Sequence, residues 1–418
     1  MGPRMTGNHY TLACLGCGKQ FEEPDRGFLL GCDAAHAPAL LRASYRSSRL
    51  TIRPEHPGIF RYSDWLPIRT VLPKASGPVV WRSEALGRKL GVDNLAVAFS
   101  GYWPERGAAM EACTFKELEA LPVCARVPPG ERRTMVVSSA GNTGRSFLQV
   151  ASANGIPVLV VVPELALSHM WITGERHPSV RLAVLKGDAD YYDAIELGNT
   201  IASLEGFYPE GGARNVARRD GMGTVVLAAA EQLGEVPAHY FQAIGSGTGA
   251  IAAWEMAERL AADGRKRGDK MKLHLAQNSP FTPMTDAWEA GCRDLPHVPE
   301  AEARQRIAAI RSQVLGNRRP PYGLTGGVYD ALADTRGHMY AVTNREAEEA
   351  GRLFQEIEGF GQPALDPHSA PQQNGPVRRE VLCIPHPFHI HDGSPCRQFF
   401  GDRSGHFAGR SEFGCVGN

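Results

Sequence analysis

Three short stretches of the chain bring together residue types that do chemistry in combination. Lys116 lies in CTFKELEA (Cys113–Ala120), in the first turn of a predicted helix, behind Thr114 as a candidate cap with Glu117 three residues after it. The positive end of a helix disfavours an ammonium ion, and the neutral amine is the nucleophile that imine formation with a carbonyl requires. Ser138-Ser-Ala-Gly-Asn-Thr-Gly144 sits between the apolar strand TMVVSS and an apolar helix. Such a turn aims backbone N–H groups and a helix N-terminus at a carboxylate or phosphate, and Asn142 adds a directed amide. Gly245-Ser-Gly-Thr-Gly249 separates HYFQAI from AIAAWEMAERL, and its alternating glycines allow a phosphate to approach the backbone closely. Ala250 and Ile251 follow, so the loop is not the G-x-G-x-x-G of dinucleotide sites, and it lacks the Gly-Lys-Ser/Thr of triphosphate loops. Each stretch alone has a plainer reading: a capped turn, a tight turn without a ligand, and a solvated helix lysine.

The elements around them follow an α/β rhythm. Thr134–Ser138 is a predicted strand before a helix from about Thr143; Pro157–Val162 precedes another helix, and Val180–Leu185 precedes Tyr191–Leu204. The rhythm resumes with Tyr240–Ile244, the glycine loop and a helix Ile251–Ala262, then Lys272–Ala276, and Met339–Val342 before a helix Arg345–Ile357. Apolar runs alternating with amphipathic stretches predict a largely parallel sheet. Pro54, Pro57, Pro67, Pro73 and Pro78 mark an extended approach, and the regular body is read as starting near Val79. After Gly361 only Val381–Ile384 reads as a strand. His386, His389 and His391 in that tail read as solvated.

A lysine at a helix start, an S-x-G-N-T-G turn beyond it and a glycine-rich loop further on resemble the fold type II pyridoxal-phosphate enzymes. Within them, GYWPERGAAMEACTFKELEA, SSAGNTGR, GSGTGAIAAWE, TGGVYDALADT and YAVTNREAEEAG are similar to the cysteate synthase family, relatives of threonine synthase; the resemblance runs from about Tyr10 to Gly359. It implies a tryptophan synthase β-like fold, in which two doubly wound parallel-sheet domains hold the cofactor between them. The expected division is a ribbon-like segment over 1–50, a large cofactor domain over 51–125 and 223–361, a small α/β domain over 126–222, and an irregular tail over 362–418.

The resemblance further implies that Lys116 carries pyridoxal 5′-phosphate as a Schiff base, that Asn142 faces its 3-hydroxyl, and that Gly245, Ser246, Gly247, Thr248 and Gly249 hold its phosphate. The implied reaction is β-replacement on O-phospho-L-serine by sulfite, giving L-cysteate and phosphate. Ser138, Ser139 and Thr143 would clamp the substrate carboxylate. Among Arg106, Arg145, Lys186, Arg214, Arg218 and Arg219, Arg106 is the first choice for the substrate's charge because it shares a segment with Lys116. Threonine synthase activity on O-phosphohomoserine, and a catalytically impaired homologue that only binds, remain open alternatives. Family members end in a strand leading to a threonine that faces the pyridine nitrogen; this chain has no threonine after Thr343, leaving Val381–Ile384 as the stand-in strand and Ser394 as the substitute hydroxyl.

Cys14-x2-Cys17 with Cys32 and His36 has the makings of a tetrahedral zinc site. Forty-five basic and 45 acidic residues in a chain of 418 argue against nucleic acid or a membrane surface as the main partner. Small-molecule substrates and a homo-oligomer are the expected partners. No leader-like or spanning apolar run is visible, and nine scattered cysteines suit free thiols in a reducing cytoplasm.

Overall fold

The computed structural model describes residues 9–92, 94–265, 270–359 and 381–384. The tail histidines and Ser394 lie outside the described residues. Regular structure begins earlier than the proline-rich approach suggests: β1 (Tyr10–Cys14), β2 (Gln20–Phe21) and β3 (Leu41–Tyr45) form an antiparallel sheet in the order β2-β1-β3. Period-two alternation buries Tyr10, Leu12, Cys14, Leu41 and Ala43 against Val216. A second small sheet pairs β4 (Val79–Arg82) with β5 (Ala96–Phe99) on either side of α1 (Glu84–Leu90), and a short ribbon joins β6 (Tyr102–Trp103) to β7 (Ala108–Ala109).

The chain then alternates α2 (Glu117–Arg126), β8 (Thr134–Ser138), α3 (Asn142–Asn154), β9 (Val158–Pro163), β10 (Val180–Leu185), α4 (Tyr191–Ala202) and β11 (Phe207–Pro209). The helix expected after β9 is only a 3-10 segment, Glu164–His169. Next come α5 (Val216–Leu233), β12 (His239–Ala243), α6 (Thr248–Ala262), β13 (Lys272–Asn278), α7 (Pro283–Glu289), α8 (Glu300–Ala309), α9 (Val328–Thr335), β14 (His338–Val342), α10 (Asn344–Glu358) and β15 (Val381–Ile384). Two wholly parallel sheets result, one in the order β11-β8-β9-β10-β15 and one in the order β12-β13-β14. Val381–Ile384 is thus a strand as expected, but it pairs with β10 rather than closing the sheet that carries the glycine loop.

The pillar of the fold is α5, whose residues from Val216 to Ala230 are all buried. Gly221 lets α2 approach so closely that a Cβ there would sit 2.1 Å from the Leu118 carbonyl oxygen, and Gly223 does the same for α6 at the Ala252 carbonyl, 3.1 Å. Buried charge fixes the same two contacts. Arg218 reaches Glu119 on α2 at 3.2 Å, Arg219 reaches Glu255 on α6 at 3.0 Å, and Asp220 reaches Arg259 on α6 at 2.5 Å. Breaking one partner of such a pair leaves an uncompensated buried charge, a cost of roughly 3–5 kcal/mol. The helices that begin at Lys116 and at the glycine loop are therefore set against one common column.

Among the described residues β5 and β12 each have a neighbour on one side only, and both line one cavity of about 1460 Å³. Phe241 on β12 is 68% exposed and stacks on His274 of β13, so this face of the sheet is uncovered among the described residues. No helix among the described residues is long and apolar enough to cross a membrane.

Candidate active site

Parallel strands deliver their C-terminal ends to one side of a sheet, and crevices there are where α/β folds bind ligands. The turn after β8 and the loop after β12 both reach the same cavity, as does the start of α2: Lys116, Ser139, Asn142, Thr143, and Gly245 through Gly249 all line it.

Lys116 occupies the N-cap position of α2 with helical backbone angles, one residue ahead of the first helical residue. Thr114 is not the cap expected of it: it stands two residues before the N-cap, and its Oγ1 accepts from the Lys116 amide at 3.4 Å in a local turn. Glu117 does not complete a capping box. Its carboxylate accepts instead from the Ala112 amide at 2.7 Å and from Ser76 Oγ at 2.5 Å, and burial pushes its pKa up to about 7. Cys113, at φ 50°, holds the left-handed region, a conformation costing a side-chain-bearing residue about 1–2 kcal/mol. That bend turns the chain from Ala112 into the helix start. Lys116 Nζ stands 3.6 Å from Glu119 Oε2, and Arg218 approaches the other oxygen of the same fully buried carboxylate. Burial alone would lower the Arg218 pKa; Glu119 and Glu210 more than reverse this and keep the guanidinium charged. Arg218, one of the candidates for the substrate's charge, does line the cavity, but it is already paired with Glu119. Glu119 itself escaped the sequence reading, although a lysine and a glutamate three apart on one helix face were a visible signal for it.

The turn after β8 is built by Ser139. Its buried Oγ accepts from the amides of Gly141 at 3.0 Å and Gly144 at 2.7 Å, which folds Ser139-Ala-Gly141 back onto the start of α3. Asn142 Oδ1 accepts from Arg145 Nη2 at 3.0 Å, and Arg145 Nε donates to the Ala112 carbonyl at 2.9 Å. Arg145, stacked over Trp171 and lowered by burial to about 10, thereby ties the turn to the Lys116 segment. It orients Asn142 rather than facing the cavity, which it does not line.

Two expected substrate contacts are corrected. Ser138 does not line the cavity; its Oγ lies where a Cβ on Gly198 of α4 would be, 2.0 Å away, because it shares a strand face with Val136. Arg106 is also elsewhere, donating to Glu358 at 3.0 Å and stacked on Trp81 and Trp103.

The loop after β12 needs its glycines. Gly247 has φ 75°, and a Cβ there would lie 2.3 Å from Val328 Cγ2; a Cβ at Gly249 would meet the Gln242 amide at 2.6 Å and Phe115 at 3.0 Å. Ser246 Oγ and Thr248 Oγ1 are hydrogen-bonded at 2.8 Å, and α6 begins at Thr248, three residues earlier than the sequence pattern suggested. The Thr248 amide donates to Ser246 Oγ at 3.3 Å, and this N-terminus of α6 opens into the cavity, an arrangement suited to an anion.

These residues fit pyridoxal phosphate. An amine stands in the cavity wall, two helix N-termini with flanking hydroxyls open into it, and the buried Oε1 of Gln242, which also lines it, lacks a hydrogen-bonded partner. The cysteine cluster Cys14, Cys17, Cys32 and His36 does assemble, but away from this cavity.

The chain is similar to known proteins in sequence and in fold. The family model for pyridoxal-phosphate dependent enzymes matches residues 82–370. A cysteate synthase of Methanoculleus marisnigri is 52% identical over 365 residues, 86% of this chain and 82% of that one. One from Methanocella paludicola is 50% identical, covering 84% of this chain and 81% of its own, and one from Methanosarcina acetivorans is 47% identical, covering 84% and 83%. Among solved structures, maize serine racemase aligns at 14% identity with a TM-score of 0.48, covering 77% of this chain and 91% of that chain.

Proposed function

Because the chain belongs to the pyridoxal-phosphate dependent enzymes and, among them, to the cysteate synthase family, we propose that it joins O-phospho-L-serine and sulfite into L-cysteate and inorganic phosphate. The observation that carries this reading is the meeting of Lys116, the Ser139–Thr143 turn and the Gly245–Gly249 loop in one cavity of a chain about half identical to cysteate synthases.

Lys116 Nζ would be the attachment point for the cofactor, Asn142 would face its ring hydroxyl, and Gly245, Ser246, Gly247, Thr248 and Gly249, all lining the cavity at the start of α6, would receive its phosphate. Bound there, pyridoxal phosphate supplies an electron sink that makes the α-carbon of an amino acid acidic. With the cofactor held there, Lys116 Nζ would be the group placed to take the Cα proton. The Cβ–O bond to phosphate breaks with departure of inorganic phosphate, sulfite sulfur forms a bond to Cβ, and Nζ returns the proton to Cα. The exchange is redox-neutral. Glu119 stands at Nζ and is itself charge-balanced by Arg218, so the proton shuttle works beside a fixed buried network. The substrate carboxylate sits on the N-terminus of α3 with Thr143; the Ser139 oxygen already accepts two amides, leaving only its hydroxyl proton for a ligand. Six free cysteines among the described residues suit a reducing cytoplasm.

One observation favours a second reading, a chain that binds cofactor and substrate but turns over poorly. Among the described residues β5 and β12 each keep an unpaired edge at the cavity, and this sequence has no threonine after Thr343 to face the pyridine nitrogen. Incubating the cofactor-loaded protein with O-phosphoserine, with and without sulfite, separates the readings. The proposal expects sulfite-dependent phosphate release with cysteate as product. Threonine from O-phosphohomoserine without any cysteate overturns it, and cofactor binding with no product from either substrate establishes the impaired homologue.

A further inference from the structure

Outside the cavity, Cys14, Cys17, Cys32 and His36 bring one ligand atom each to within 4.8 Å of all the others. Zinc bonds of about 2.3 Å to sulfur and about 2.0 Å to imidazole nitrogen place neighbouring ligand atoms of a tetrahedron about 3.8 Å apart for two sulfurs and about 3.5 Å for sulfur and nitrogen. Cys17 Sγ and Cys32 Sγ are 3.7 Å apart, and Cys14 Sγ and His36 Nε2 are 3.3 Å apart. Two of the six pairs already have the spacing of a coordination shell, and the rest lie within about an ångström of it.

Three further observations point the same way. His36 Nδ1 lies 2.6 Å from the Ala37 carbonyl oxygen, which only accepts, so Nδ1 carries the ring proton and the lone pair of Nε2 faces the sulfurs. The amides of Gly16 and Ala34 donate to Cys14 Sγ and Cys32 Sγ, both at 3.4 Å, placing dipoles where thiolate charge would be. Gly16 has no Cβ, and one would lie 2.9 Å from the His36 ring, so the ring closes onto the knuckle only over glycine.

We propose that these four residues form a closed structural zinc site that staples the base of the loop between Cys17 and Cys32. That loop anchors the N-terminal sheet to the body. Its Glu23 pairs with the fully buried Arg126 at 2.8 Å, and its Phe28 packs on Tyr208. The knuckle also backs the cofactor's phosphate cup: Leu15 fills the space beside Gly326, Leu40 donates to the Thr325 carbonyl, and Val328 after them abuts Gly247. Four protein ligands leave no open position for a reacting water, so the role is to hold structure.

The test is metal analysis of the purified full chain, expressed with ample zinc under reducing conditions. The expected content is about one zinc per chain, with cobalt substitution giving the absorption of a tetrahedral thiolate site. Cys17→Ser, altering an exposed ligand, should fall below about one-tenth of that content against a fixed chelator, while Asp33→Ala, an exposed neighbour outside the set, keeps it. Stripping zinc should expose residues 18–31 to protease and weaken cofactor binding several-fold, and adding zinc back should reverse both. Zinc-free protein that takes up none, a Cys17–Cys32 disulfide, or equal zinc in Cys17→Ser overturns the site; unchanged protease resistance and cofactor binding after stripping overturn its bracing role.

Discussion

Replacing Gly247 by alanine is the sharpest perturbation of the phosphate cup. The residue sits at φ 75°, where an L side chain costs about 1–2 kcal/mol. Its new Cβ would lie 2.3 Å from Val328 Cγ2, far inside a carbon contact of about 3.5–4.0 Å, and overpacking of that kind adds about 1–3 kcal/mol. Together they give roughly 2–5 kcal/mol. If the loop stays in place without cofactor, the loss appears in denaturant unfolding of the apoprotein; if it relaxes, the loss appears when the cofactor binds. Wholly expressed there, it weakens the Kd for pyridoxal phosphate by about 30-fold to a few thousandfold. Measuring both, by denaturant midpoint and by spectroscopic cofactor titration, captures the sum. Adding Val328→Ala to Gly247→Ala relieves the clash but not the backbone, so the double variant should recover the steric share. A Gly247→Ala protein with unchanged unfolding and unchanged Kd refutes the reasoning.

Three other predictions follow from named contacts. Glu117 has a folded pKa of about 7 against an ordinary 4.5, so the folded state favours the protonated form; its contribution, roughly 3 kcal/mol, is present below pH 4.5 and is lost as pH rises to about 7. Glu117→Gln should therefore gain stability over wild type across that interval in denaturation at several pH values, and a difference that does not vary with pH would count against it. Glu255→Ala leaves the buried Arg219 without its counter-charge, only backbone carbonyls of Ala213 and Leu41 remaining, and should cost about 3–5 kcal/mol in chemical denaturation, where a loss under about 1 kcal/mol would contradict the pillar described for α5. Ser139→Ala should destabilise the turn by roughly 1–3 kcal/mol and raise KM for O-phosphoserine, whereas Ser138→Ala, whose hydroxyl faces α4, should leave KM within about twofold; the reverse order in steady-state kinetics would restore Ser138 to the site.

The parts of the site that were legible in the sequence are local. Lys116, the Asn142 turn and the Gly245–Gly249 loop each announce themselves by residue types fixed by backbone geometry, and they do meet at one cavity. What escaped depends on partners distant in sequence. Helix α5 carries no polar face because it is buried all round, so the period that identifies surface helices is missing, and nothing local separates Arg218 and Arg219 as candidates for the substrate's charge from the structural ion pairs they make with Glu119 and Glu255. Arg106 was favoured for proximity along the chain, but Glu358, which holds it, lies on the last helix. Ser138 was recoverable: strand alternation already places it on the face of Val136, away from the Met135 and Val137 side. The small N-terminal sheet escaped because its strands are short and the cysteines between them drew attention to ligands rather than to pairing.

The central claim is that Lys116 is the residue that holds the cofactor. Borohydride reduction of the cofactor-loaded protein, followed by proteolysis and mass spectrometry, tests it without reference to turnover. The account predicts a phosphopyridoxyl group on the peptide containing Lys116, and neither that label nor the bound cofactor's visible absorption in Lys116→Ala. A label on another lysine, or a loaded protein whose Lys116 stays unmodified, would contradict it.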